Sequence, residues 1–329
     1  MLKTIFYGTP DFAVPCLEKL AQLTDVVLVI TTPDRKRGRG KKMLPSPVKK
    51  AALELGLEVS QPSSLRDLDF IERILSLKVD LGVVVAFGRI LGRRLLYAPR
   101  LRCVNVHASL LPLLRGAAPI SRAIMDGHKV TGVSMMRMNL GLDAGAVYFT
   151  RETPVNADDT AGILHDRLSQ IGAGALVEFI EMAENYTLGE PEKQDKSKAT
   201  YAEKILTPDE WINWHHCALA IEKQIRGLAP KPSASTHFRG KRFKILQAEP
   251  VMDKVELVQA DGIELSPDFV TPDGTGEIVI DGRFIEVICG RGLLRLKTVQ
   301  MEGKKPGLAS DFVNGYRVKN GEYLGGSEK

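Results

Sequence analysis

Two uninterrupted apolar runs, Val26-Val27-Leu28-Val29-Ile30 and Leu81-Gly82-Val83-Val84-Val85, narrow the folds open to this chain more than any other feature. β-Branched residues with no polar alternation mark strands covered on both faces. A further strand is expected at 3–7, and helical segments at 10–23, 48–55 and 69–77 separate the three. The order strand, helix, strand argues for an α/β domain built on a mostly parallel sheet with helices on both faces. Such a sheet binds ligands in the crevice beyond the carboxyl ends of its strands. The turn Gly8-Thr9-Pro10 does not have the Gly-x-Gly-x-x-Gly spacing of a pyrophosphate cradle, so no dinucleotide cofactor is expected.

The next apolar stretch, Cys103-Val104-Asn105-Val106-His107, ends on polar groups. Alternate strand residues share a face, so Asn105 and His107 project together into the crevice. Cys103, Val104 and Val106 are expected to supply apolar support, with Cys103 turned away. A second strand, 132–138, leads into Gly141-Leu142-Asp143-Ala144-Gly145, whose carboxylate can reach the same place. Taken alone, an Asn-x-His pair is more often a structural histidine beside a turn asparagine.

If Asn105, His107 and Asp143 converge, they suit direct acyl transfer, since no serine, cysteine or lysine stands among them to form a covalent intermediate. An amine attacks a formyl-type carbonyl and a tetrahedral intermediate with an oxyanion results. The Asn105 amide can donate to that oxygen, a role worth roughly 3–4 kcal/mol in enzymes that use it. His107, with an ordinary pKa of about 6.5, can exchange the proton, and Asp143 can orient it. The turn after the 80–87 strand, with Phe87, Gly88 and Ile90, offers apolar contact and backbone hydrogen bonds to a flat heterocycle, or else serves only packing.

At 329 residues, two domains are expected. The polar stretch 189–200 reads as a linker. Thr207-Pro208-Asp209-Glu210 is expected to open a helix running to 226. Short alternating runs at 236–238, 243–247, 276–280, 284–288 and 293–299, with a hairpin signal at Asp281-Gly282, suggest a small β-barrel of oligonucleotide-binding type. His215, His216 and Cys217 would diverge on that helix, and the four cysteines form no Cys-x-x-Cys pair, so no metal is expected. No run approaches the roughly 18 apolar residues of a membrane span, and the N-terminus does not read as a signal peptide, which points to the cytoplasm. The net charge is only +5, yet residues 35–50 hold eight basic side chains and residues 223–244 seven, with no acid in either stretch. Two such patches suit a polyanion, or are simply solvated loops.

The pattern Asn105-x-His107-x-Ser109-Leu110-Leu111-Pro112-x-x-Arg115-Gly116, followed by Leu142-Asp143-x-Gly145, resembles the folate-dependent formyltransferases. Within them it is most similar to the branch that formylates methionyl initiator tRNA. Thr200-Tyr201-Ala202, Gly303-Lys304-Lys305-Pro306 and the basic 33–42 loop extend the likeness over nearly the whole chain, with departures at Leu113-Leu114 and Lys231-Pro232-Ser233. The resemblance implies a Rossmann-like catalytic domain at 1–188, a linker at 189–205 and a tRNA-binding, OB-like barrel at 206–329. It makes Asn105, His107 and Asp143 the catalytic trio. Ser109, Leu110, Leu111 and Pro112, together with Phe87, Gly88 and Ile90, would border the folate site. Arg37, Arg39, Lys41, Lys42, Lys241, Arg242, Lys304 and Lys305 would meet tRNA. The implied reaction uses 10-formyltetrahydrofolate as formyl donor and methionyl initiator tRNA as partner, in a monomeric bacterial cytoplasmic enzyme that needs no metal. Two alternatives stand beside it: a formyltransferase acting on an amino-sugar nucleotide or other small amine, and a non-catalytic RNA-binding protein.

Overall fold

The computed structural model describes residues 1–37, 42–251, 274–282 and 284–325. From the N-terminus run β1 (Lys3–Gly8), α1 (Val14–Leu23), β2 (Asp25–Ile30), β3 (Arg35–Arg37), β4 (Lys42–Leu44), α2 (Pro47–Glu54), β5 (Val59–Ser60), α3 (Leu68–Ser76), β6 (Leu81–Val85), the one-turn α4 (Arg93–Leu96) and β7 (Cys103–His107). β8 (Arg115–Gly116), α5 (Pro119–Met125), β9 (Val130–Arg137), β10 (Ala146–Pro154), α6 (Ala161–Glu184) and β11 (Tyr201–Ala202) follow. Helix starts obey local chemistry. The Ser46 hydroxyl accepts from the Lys49 N–H ahead of α2, and the Asp67 carboxylate from the Phe70 N–H ahead of α3. Each such cap is worth about 1 kcal/mol.

The central sheet has the order β10-β9-β7-β6-β1-β2-β5. Its strands from β5 to β7 are parallel, while β9 pairs antiparallel with β7 and β10 with β9. The chain moves outward from β1 through β2 to β5, then returns to β6 on the other side of β1. The resulting switch point puts a crevice at the carboxyl ends of β1, β6 and β7. Both apolar runs are buried as expected, in β2 and β6, with only Val27 half-buried. α6 covers the Val106 face of β7 closely, because a Cβ at Gly172 would lie 2.9 Å from Val106 Cγ1.

The protein divides into one compact unit of residues 1–120, 129–155 and 163–204 and another of 121–128, 156–162 and 205–329. The second unit contains α7 (Ala218–Leu228), β12 (Ala234–Phe238), β13 (Lys241–Val251), β14 (Ile278–Asp281), β15 (Phe284–Ile288), β16 (Leu293–Met301), β17 (Gly307–Leu308) and α8 (Ala309–Tyr316). Its antiparallel strands run β12-β13-β16-β15-β14, with the hairpin at 281–284 where Asp281-Gly282 signalled it. The tail closes this sheet: Leu324 pairs with Phe238 of β12, and Tyr323 with Glu277 just before β14. Inside, Phe312 of α8 packs on Phe243 and Phe238 at ring distances of 4.6 and 5.1 Å.

Two local expectations are corrected. The 207–226 helix does not form: after a 3-10 turn at Thr207–Glu210, Trp211 turns extended and the Ile212 N–H donates to Ser235 O, so the helix begins only after Cys217. His215 and His216 therefore lie in a turn. The long connection after Thr32 holds an antiparallel pair, β3 with β4, rather than irregular chain throughout. The 189–200 stretch, expected as a linker, makes contacts within the first unit: Glu192 and Val147 exchange backbone hydrogen bonds, and just beyond it β11 pairs with β8. Among the described residues, no helix is long and apolar enough to cross a membrane.

Candidate active site

β7 is buried along its whole length, and its last residues deliver Asn105 and His107 to the crevice. Across the sheet, Asn105 stands opposite Met136 and His107 opposite Ser134. Asp143 arrives from the β9–β10 turn, with its backbone in the left-handed region at φ 44°. Asp143 Oδ2 lies 3.7 Å from His107 Nδ1 and accepts a 2.9 Å hydrogen bond from the Gly116 N–H. At 3.7 Å the pair is within ion-pair range yet longer than a hydrogen bond, a spacing that catalytic pairs commonly tighten when substrate binds. The other ring nitrogen, Nε2, is 3.2 Å from Leu114 O. Both nitrogens thus face acceptors, so a neutral ring satisfies one of them with its single N–H.

Two glycines permit this approach. A Cβ on Gly145 would come within 1.9 Å of Arg137 O, and one on Gly116 within 2.6 Å of Ala202 O. Cys103 shares the pleat with Asn105 and His107 instead of turning away. It lies deeper, in the apolar cluster with Tyr7, Val84 and Phe87, where burial pushes its thiol up to about 12. A thiol so raised is no nucleophile near neutrality.

The Ser109–Pro112 signature is a scaffold for the loop it begins. Ser109 is fully buried; its hydroxyl donates to Leu113 O at 2.6 Å and its carbonyl accepts from Ser134 Oγ at 2.7 Å. Ser134 Oγ in turn takes the Leu111 N–H at 3.0 Å, and the Leu111–Pro112 peptide is cis. Phe87 is buried edge-on against Tyr7, so its side chain belongs to the core, while Ile90 is 91 % exposed. Gly88 holds a positive φ in the turn between them.

A residue the sequence reading missed completes the site. Gln194 donates to Asp143 O at 2.8 Å and to Gly145 O at 2.7 Å, and its Oε1 accepts from Arg115 Nε and Nη2 at 3.1 and 2.7 Å. Thr200 assists: its hydroxyl takes the Leu114 N–H at 2.8 Å and its carbonyl the Arg115 N–H at 2.9 Å. Thr200-Tyr201-Ala202 was the available signal for this segment. Gln194 had none, because a polar stretch that hydrogen-bonds a site has the composition of a linker.

Of the basic candidates, Arg37 ends β3 and Lys42 begins β4, the two standing opposite each other in the pair, and Arg39 and Lys41 lie outside the described residues. Lys241 begins β13; Lys304 and Lys305 follow β16. The backbone bond from Glu302 to Arg242 puts them at one end of the sheet, all three exposed. Arg242 is committed internally, to Glu210 and to Ser235 Oγ at 2.9 Å, with its guanidinium 5.3 Å from the Trp211 ring. Among the described residues, no three His, Cys, Asp or Glu side chains are grouped to hold a metal ion.

The chain matches the Formyl transferase family over residues 3–180 and the Formyl transferase C-terminal domain over residues 204–317. It is 42 % identical to the methionyl-tRNA formyltransferase of Heliobacterium modesticaldum, across 98 % of this chain and 100 % of that one. Against the enzyme of the same name from Moorella thermoacetica, identity is 44 %, across 98 % and 99 %. Among solved structures, an N-formyltransferase from Helicobacter canadensis, in complex with folinic acid and dTDP-3-aminofucose, superimposes with a TM-score of 0.64 at 20 % identity, covering 90 % of this chain and 99 % of that one. The last likeness shows the fold alone.

Proposed function

Because this chain belongs to the methionyl-tRNA formyltransferase family, we propose that it transfers the formyl group of 10-formyltetrahydrofolate to the α-amino group of methionyl initiator tRNA. The observation that carries this reading is the seating of Asp143 between His107 and the Gly116 N–H at the carboxyl end of β7. The donor supplies an activated formyl carbon. The neutral amine attacks that carbon; Asn105 donates an amide N–H to the oxygen as negative charge develops on it. His107 takes the amine proton and returns one to the folate nitrogen as the carbon–nitrogen bond to folate breaks. Asp143 holds the imidazole in the orientation this exchange needs.

The turn from Phe87 to Ile90 and the loop from Ser109 through Leu110 and Leu111 to Pro112 border the donor. The second unit, with Lys241, Lys304 and Lys305, and the loop bearing Arg37, Arg39, Lys41 and Lys42, neutralises tRNA phosphates. Arg242 supports that surface from within, through Glu210 and Ser235. The protein works as a cytoplasmic monomer.

Formyl transfer is measured on charged initiator tRNA beside charged elongator methionine tRNA and a 4-amino-sugar nucleotide, with His107→Ala as control. Product on the initiator alone, lost in the variant, is expected. Product only on the sugar would keep the trio's chemistry and overturn the tRNA assignment.

A further inference from the structure

Beside the trio lies a hollow of about 300 Å³, bounded by Leu142 and the segments 115–117 and 201–204, which bring the charged Arg115, Glu203 and Lys204 beside the apolar residues. That volume is at the small end of the range for small-ligand sites. Two of its walls are tied directly to the catalytic carboxylate: Leu142 precedes Asp143, and the Gly116 N–H donates to Asp143 Oδ2. Its other wall is the β8–β11 pair, where Ala202 stands opposite Gly116. Leu142 and Tyr201 are 63 % and 61 % exposed, two large apolar side chains turned to solvent around one depression. A single exposed apolar residue calls for no explanation, but two lining one hollow next to a reacting centre mark a surface that a ligand covers.

We propose that this hollow receives the methionyl side chain of the charged tRNA, and that Leu142 and Tyr201 set the preference for that side chain. The inference rests on the function proposed above. An amine attacking beside His107 and Asp143 must come within roughly 3–3.5 Å of its target carbon, which fixes the α-carbon one bond away. The side chain leaves from that carbon, so its space must adjoin Asp143. The hollow meets this requirement through Leu142 and Gly116. Its small residues, Ala117 and Ala202, leave room for an unbranched chain, and a thioether sulfur gains from contact with the Tyr201 ring.

The test charges one initiator tRNA with methionine and, separately, with alanine, and compares kcat/KM for formylation by the wild type, Leu142→Ala, Tyr201→Ala and Tyr201→Phe. The wild type is expected to favour the methionyl form by roughly 10-fold or more, as apolar pockets discriminate by chain length. Leu142→Ala and Tyr201→Ala should lose most of that ratio through a rise in KM, and Tyr201→Phe should keep it. An equal fall on both aminoacyl forms would overturn the proposal and assign the hollow to the terminal nucleoside, whose base can stack on Tyr201. An unchanged ratio in both alanine variants would also overturn it. Failure of the wild type to formylate either tRNA refutes the function itself, which is a different result from either of these.

Discussion

Removing Gln194 tests whether the carboxylate of the trio is positioned by a side chain that never meets substrate. In Gln194→Ala, two hydrogen bonds to the Asp143 and Gly145 carbonyls disappear, along with the acceptor for the Arg115 guanidinium. Ordinary intramolecular hydrogen bonds contribute about 1 kcal/mol net and those to a charged group about 1.5–3 kcal/mol. Arg115 is only 5 % exposed, so water replaces its lost partner poorly. A destabilisation of about 2–4 kcal/mol follows once partial rehydration of the two carbonyls is allowed for. The catalytic effect comes by another route: if the Asp143 turn shifts by about 1 Å, roughly 10² in rate is at stake. Stopped-flow formylation should therefore show kcat down about 10- to 100-fold, with KM for the folate donor little changed. Gln194→Glu separates the two effects. A carboxylate still pairs with Arg115 but places an acceptor against two carbonyl oxygens, so stability should exceed that of the alanine variant while kcat stays low. Full kcat in Gln194→Ala, with urea unfolding displaced as expected, would refute the positioning argument and leave the Gly116 N–H and His107 to hold Asp143.

Three further outcomes are expected. Asp80 accepts the Lys3 N–H at 3.0 Å and Arg100 Nε at 2.9 Å, and these bonds, the first the larger, hold its carboxyl below the usual range. A depressed folded pKa adds stability that is present above the unfolded value of about 4 and is lost as pH falls through the folded one. The stability gap between wild type and Asp80→Asn, from urea unfolding, should thus be largest near neutrality and shrink below about pH 4; a gap independent of pH contradicts this. Cys16, Cys103 and Cys289 are buried with thiols pushed up to about 12, and Cys217 is half-buried, so titration with a disulfide reagent at pH 8 should find one fast thiol in the native protein and four after denaturation. Two or more fast native thiols would count against this packing. Finally, Lys304→Ala and Lys305→Ala should each weaken tRNA binding and lower the slope of log affinity against log salt by about 1; an unchanged slope removes these lysines from the interface.

What could be read from the sequence divides along physical lines. Strands buried on both faces, such as β2 and β6, leave an unmistakable apolar signature, and Asn105 with His107 stands out against one because polar groups at the end of such a strand need a purpose. Asp143 was visible through its glycines, and the structure gives the reason: Gly145 packs so tightly against Arg137 O that no side chain fits. Elements whose stability comes from partners distant in sequence were not legible. The stretch after Glu210 has helical composition, yet it is captured as extended chain by Ser235 O, a contact no local pattern announces. Gln194 was hidden for the same reason, since its work is hydrogen bonding to a loop some eighty residues earlier. Even so, the two kinds of residue form one device: buried strands fix where Asn105 and His107 point, while a polar, nearly featureless segment fixes where Asp143 and the Gly116 loop must be. Trio geometry should therefore be less tolerant of change in 192–202 than the polarity of that segment suggests, and substitutions there should alter kcat before they unfold the domain.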